Sequence, residues 1–152
     1  MNNARIVELR EKRDIELLKF LIDKYHSQGA PRGGGAGRHP RFFVYVVEEE
    51  NGEYWVAGAW LHDATPFRFV AQKLNIPQEN SYFIRRICKF APGDWLVSFL
   101  DALADKLKAE GKQCLWTLGF KDHSNALYKL AGFVEAGVTA RSGHPVYVKW
   151  LR

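Results

Sequence analysis

Residues 82–118 read as a strand, a break, a helix, a second break and another strand, and that order constrains the whole chain. Tyr82-Phe-Ile-Arg-Arg-Ile-Cys-Lys-Phe90 is a β-type run that Ala91-Pro92-Gly93 stops. Asp94 then caps a helix whose apolar face is Leu96, Phe99, Leu100, Leu103 and Leu107. Glu110-Gly111 closes that helix with a C-terminal glycine. Cys114-Leu-Trp-Thr-Leu118 is short and mostly apolar, the pattern of a strand covered on both faces. Strands joined through a helix crossover run parallel. Strands 82–90 and 114–118 are therefore expected to be parallel neighbours that splay at their carboxyl ends.

The rest of the chain supplies antiparallel partners. Arg5 to Arg10 alternates like a strand, and Asp14 caps a helix carrying Ile15, Leu17, Leu18, Leu21 and Ile22. Arg41–Val47 and Tyr54–Leu61 flank Asn51-Gly52, a hairpin signature. Phe67 to Leu74 is read as a short helix between Pro66 and Pro77. Ser124 caps a helix that Gly132 ends, and strands follow over 133–140 and 146–150. The fold class expected is α/β, one mixed sheet with helices on both faces.

At 152 residues the chain is expected to be one domain, residues 1–152. It is 47% apolar and 26% charged, which excludes disorder, and its two cysteines exclude a disulfide scaffold. Cys88 and Cys114 are read as buried, reduced thiols of a cytoplasmic protein. No run approaches the roughly 18–20 apolar residues of a membrane span. The N-terminus lacks the apolar stretch of a signal peptide. No Cys or His spacing matches a metal site. A net charge of +5 favours anionic partners, or serves solubility alone.

Residues 29–41 are set apart, with five of the thirteen glycines between Gly29 and Gly37. Arg32, Arg38, His39 and Arg41 crowd this expected flexible loop with no acid. It reads either as a solvated loop or as a contact for a phosphate backbone. Three further places carry chemistry. The Phe90–Trp95 junction opens a helix, whose first amides form an anion site unless Asp94 occupies them. Asp122-His123-Ser124-Asn125-Ala126-Leu127-Tyr128 follows a buried strand. There Tyr128 is either a proton donor or a packing residue, and His123 either a base or half of a loop pair. Arg85 and Arg86, adjacent in a strand, point to opposite faces, so at least one enters a covered layer. It meets either a carboxylate or an anionic substrate.

These residues in this order resemble the GNAT superfamily of acyl-CoA-dependent N-acyltransferases. Val56-Ala-Gly-Ala-Trp60 is similar to the third strand of that fold, and Asn125…Leu127-Tyr128…Gly132-Phe133 to the family's "N…LY…GF" pattern. The usual pyrophosphate loop, Arg/Gln-x-x-Gly-x-Gly/Ala, is replaced by Phe90-Ala91-Pro92-Gly93-Asp94-Trp95. Mom-like phage DNA-modification proteins share that loss. The spacing of His123, Tyr128, Phe133 and Gly137 resembles theirs, as do Tyr25-His26-Ser27 and Ser98-Phe99-Leu100.

The resemblance implies acetyl-CoA, or another acyl-CoA, bound by Lys89, Phe90, Gly93, Asp94, Trp95, Leu96 and Asn125. It implies Tyr128 as the acid at the leaving thiolate, with His123 or a water chain as base. Arg32, Arg38, Arg41, Arg85 and Arg86 are the candidates to hold an acceptor, nucleic acid included. The protein is expected to be a monomer or homodimer. The rival expectation is a non-catalytic GNAT-like module that binds nucleic acid.

Overall fold

Runs rich in β-branched and aromatic residues form the strands here, and amphipathic runs between them supply the helices. The computed structural model describes residues 4–26, 38–64, 80–119, 125–139 and 143–151. In chain order the elements are β1 (Ala4–Leu9), α1 (Lys12–Tyr25), β2 (Arg38–Glu49), β3 (Gly52–Asp63) and β4 (Ser81–Lys89). Then come α2 (Trp95–Ala109), β5 (Cys114–Leu118), α3 (Ala126–Leu130), β6 (Val134–Val138) and β7 (Pro145–Trp150). The described strands form one seven-stranded sheet in the order β1-β2-β3-β4-β5-β7-β6. β4 and β5 are parallel, as expected, and the other neighbours are antiparallel. The mixed α/β sheet is thus the fold observed.

Alternation along β2 shows which helix covers which face. Phe42, Val44 and Val46 share a core with Leu18 and Ile22 of α1. Phe43, Tyr45 and Val47 share one with Phe99, Leu100 and Leu103 of α2. Successive strand residues face opposite ways, so the two helices lie on opposite faces. Gly58 lets α1 sit close to the sheet. A Cβ there would collide with Leu18 Cδ1 and lie 3.0 Å from the Phe90 ring. No described helix is long and apolar enough to cross a membrane.

Several boundaries differ from expectation. α1 begins at Lys12 with Glu11 at its N-cap, and Asp14 sits inside the first turn, where its charge suits the dipole. β2 starts at Arg38, so residues 38–41 belong to a strand; a register break between Arg38 and Arg41 accommodates His39 at φ 53°. The remainder of the expected loop, and the expected helix at 67–74, lie outside the described residues. α3 starts after Asn125, which is left-handed at φ 54°. Ser124, the expected cap, lies outside the described residues.

Candidate active site

The parallel pairing of β4 and β5 is brief. It runs Ser81↔Cys114, Tyr82↔Leu115 and Phe83↔Trp116, and then stops. Beyond it β4 follows β3 as far as Lys89, while β5 follows β7 as far as Leu118. The sheet is therefore split by a slot between the carboxyl ends of β4 and β5. Open α/β sheets hold ligands at such strand ends. A cavity of about 330 Å³ occupies this slot, lined among others by His26, Arg85, Arg86, Thr117, Tyr128 and His144.

Thr117 ties the slot together at its base. Its hydroxyl donates to the Ile84 carbonyl at 3.1 Å, across the point where the ladder ends. It also shares a hydrogen bond with the Tyr128 hydroxyl. The Tyr128 ring stacks on Tyr147 at 5.5 Å and meets the Phe133 edge at 5.7 Å. Burial raises the Tyr128 phenol above the ordinary tyrosine range, the Thr117 bond opposes that, and Tyr147 adds to it. Tyr128 is thus a fixed, protonated hydroxyl facing the slot.

Arg85 and Arg86 reach the cavity through a bulge. Trp60 pairs with Arg86, but the next residue, Leu61, pairs with Ile84, so Arg85 is an extra residue in β4. Tyr82 and Ile84 face the α2 core, and strict alternation would send Arg86 there next. Ile87 takes that place instead. Arg85 and Arg86 both emerge on the α1 face, which corrects the expectation that they diverge. The Arg85 guanidinium lies 5.6 Å from the Trp60 ring, and Arg86 donates to the Arg85 carbonyl at 2.7 Å. His26, at the end of α1, is lowered in pKa by burial and then by Arg86. It is held neutral to lower pH than a free imidazole.

A second cleft, of about 440 Å³, opens beside the start of α2, lined by Lys89, Gly93, Asp94, Leu96, Val97, Leu127 and Leu130. Gly93 turns the chain at φ 125°, and the Lys89 ammonium donates to its carbonyl at 3.3 Å. Asp94 stands at the N-cap, yet its carboxylate makes no capping hydrogen bond. The first-turn amides of α2 are therefore not taken by that side chain. Leu127 belongs to this cleft and Tyr128 to the slot, so α3 separates the two by one residue.

Other expected site residues stand elsewhere. The Phe90 ring packs 5.9 Å from Tyr25, and its amide donates to the Val56 carbonyl, so neither serves the cleft. The Trp95 indole folds over Gly93 and donates to the Pro92 carbonyl at 2.8 Å. Asn125 packs on Gly119, where a Cβ would lie 2.6 Å from its Oδ1, and so it positions α3. The Arg41 guanidinium is committed to Glu8 and Glu110, at 2.8 to 2.9 Å, and braces β2 against β1 and α2. It holds both carboxylates below their usual range. That occupation corrects the substrate role expected of Arg41. Arg32 and His123 lie outside the described residues, and of Arg38 only the backbone is described. Cys88 and Cys114 are buried and unbridged, as expected.

Thr117, His26 and His144 line the slot without having been singled out as site residues. For Thr117 a signal existed, since it is the one polar residue in Cys114–Leu118.

No protein-family model matches the sequence. The "Uncharacterized protein 154" of Sulfolobus islandicus rod-shaped virus 1 is 58% identical over 146 residues, which span 96% of this chain and 95% of that protein. The chain belongs to the family of that viral protein. Among solved structures, an aminoglycoside acetyltransferase, AAC(6')-Ib, in complex with coenzyme A matches at TM-score 0.66 and 14% identity, over 97% of this chain and 95% of that one. The ribosomal-protein-S18-alanine N-acetyltransferase of Escherichia coli matches at 0.60 and 16%, over 95% and 90%. Mutant forms of the spermidine/spermine N-acetyltransferase of Vibrio cholerae match at 0.63 and 15%, over 98% and 95%. At these identities the likeness is one of fold, and the fold is that of the GNAT N-acetyltransferases. None of these three structures is a Mom-like protein.

Proposed function

We propose that the chain is an acyl-CoA-dependent N-acyltransferase with an altered pyrophosphate loop. The observation that carries this is the slot with Tyr128 at its wall, next to an apolar cleft at a helix start. The cleft suits coenzyme A. Leu96, Val97, Leu127 and Leu130 offer apolar walls, and Lys89 offers a cation. The first-turn amides of α2 offer donors for phosphate oxygens. Asp94 and the Trp95 indole stand where the usual loop has small residues, and they weaken that grip.

Bound acyl-CoA supplies an activated carbonyl and a thiolate leaving group. Holding it in line with an amine supplies much of the rate. Tyr128 would hold its phenolic proton where the departing thiolate could take it as the amide bond to the acceptor forms. His26 would take the proton that the amine loses, because its imidazole is kept neutral in the cavity. Thr117 orients the Tyr128 hydroxyl. The acceptor is any amine the slot admits, and a nucleobase of the Mom-like kind remains one proposal among these.

Thermal unfolding with coenzyme A tests the reading. At about 100 times its dissociation constant, the ligand should stabilise the protein by about 2.7 kcal/mol. Tyr128→Phe should keep that shift and slow acyl transfer by about 10²–10⁴-fold. No shift at millimolar coenzyme A would favour the non-catalytic module instead.

A further inference from the structure

The described side chains that line the slot carry charge of one sign. Among the described residues that line it are two guanidiniums, Arg85 and Arg86, and two imidazoles, His26 and His144, with no carboxylate. Arg85 makes no ion pair among the described residues. Two adjacent arginines on one face are not what a strand gives by default. Alternation would have sent one of them into the α2 core, and a bulge was needed to bring both to the cavity. Arg85, half-buried with no ion pair among the described residues, adds little to stability. Its planar fork is built to take oxyanions. Phe83, Ile84, Ile87 and Leu118 add apolar walls beside the Thr117 and Tyr128 hydroxyls, and apolar walls raise the strength of a charge interaction inside.

We infer that the acceptor carries an oxyanion group, carboxylate or phosphate, close to its reactive amine, and that Arg85 and Arg86 hold this group. The inference rests on the acyltransferase reading for the amine and on the cavity alone for the anion. A cavity of about 330 Å³ fits a small molecule or one terminal residue of a larger one. The same charges repel a second ammonium. Polyamines and other polycations, good acceptors where a site supplies carboxylates, are disfavoured here.

A matched set of two-carbon amines tests this in the full chain with acetyl-CoA. O-phosphoethanolamine and β-alanine carry the anion as phosphate and as carboxylate. Ethanolamine carries none, and 1,2-diaminoethane carries a cation. The expected order of kcat/KM is either anionic amine above ethanolamine by at least about tenfold, the low end for one charge-assisted hydrogen bond, with the diamine lowest. Which anionic amine leads tells phosphate from carboxylate. Arg85→Gln and Arg86→Gln should each compress the preference toward unity. A diamine rate equal to or above the anionic rates would overturn the inference, whatever the variants do.

Calorimetric titration of O-phosphoethanolamine without acetyl-CoA separates the two claims. Heat seen with wild type and weakened at least about tenfold in Arg85→Gln supports the anion site even if no acyl transfer is found. Acyl transfer with no preference, and no such heat, removes the anion site and leaves the acyltransferase standing.

Discussion

Replacing Thr117 by valine isolates the hydroxyl that joins the sheet to Tyr128. The side chain keeps its shape and loses one oxygen. Thr117 is 3% exposed, so water has little room to substitute. The Ile84 carbonyl and the Tyr128 hydroxyl both lose a partner. Leaving a buried polar group unsatisfied costs about 1–3 kcal/mol. In a chain of 152 residues each kcal/mol moves Tm by about 2–4 °C, so Tm should fall by about 2–12 °C. The second effect is on the proton. The Thr117 hydroxyl, which gives its proton to the Ile84 carbonyl while Tyr128 is protonated, turns that proton to the phenolate when Tyr128 ionises; this bond lowers the phenol against burial, so Tyr128 in Thr117→Val should titrate at higher pH still. Phenolate absorbance, read as the difference from Tyr128→Phe, follows this without a substrate. If Tyr128 is the acid, activity falls as pH rises through its pKa, and the alkaline limb of the rate profile should move to higher pH. A Tyr128 that titrates at the same or lower pH in Thr117→Val would refute the hydroxyl pair.

Three other perturbations are equally direct. Gly58→Ala should cost about 1–3 kcal/mol, read by denaturant midpoint, because the new methyl meets Leu18 and Phe90 under α1. Glu8 and Glu110 have folded pKa values below the ordinary 4.5 because Arg41 bonds them; their stabilisation is present above that pH and lost as pH falls through the lower folded values. Arg41→Met should therefore lower Tm at neutral pH, with the gap to wild type closing as pH falls below 4.5 and through the lower folded values. Asp94→Asn should tighten coenzyme A a few-fold by calorimetry, since it removes an anion from the cleft at the helix start, where a charge is worth about 0.3–1 kcal/mol.

The parts of this fold that were legible in the sequence are those set by local chemistry. Asn51-Gly52 marked the β2–β3 hairpin, and Gly93 and Gly111 bracketed the α2 crossover that makes β4 and β5 parallel. Tyr128 was legible because it follows a buried strand at helical spacing. What was not legible depends on partners distant in sequence. The Arg85 bulge exists only in the register of β4 against β3. The commitment of Arg41 is made by Glu8 and Glu110, 33 and 69 residues away. His26 joins the slot because α1 packs on the sheet with Leu18 against Gly58, and no local pattern around residue 26 encodes that. Asp14 is a good capping type that Glu11 preceded, since neighbouring residues compete for one helix start.

The interrupted ladder between β4 and β5 also decides how two reactants could share this protein. Arg85, Arg86 and His26 approach the slot from the α1 side, while the cleft at Lys89 and Leu127 lies on the side of α2. A donor and an acceptor arriving from opposite faces do not compete for a doorway, and both can be resident at once. Cys88 and Cys114 offer no relay between them, because burial pushes their thiols up to about 11 and about 12. On the acyltransferase proposal, direct transfer in a ternary complex is expected, and initial-rate lines at several fixed acceptor concentrations should intersect rather than run parallel.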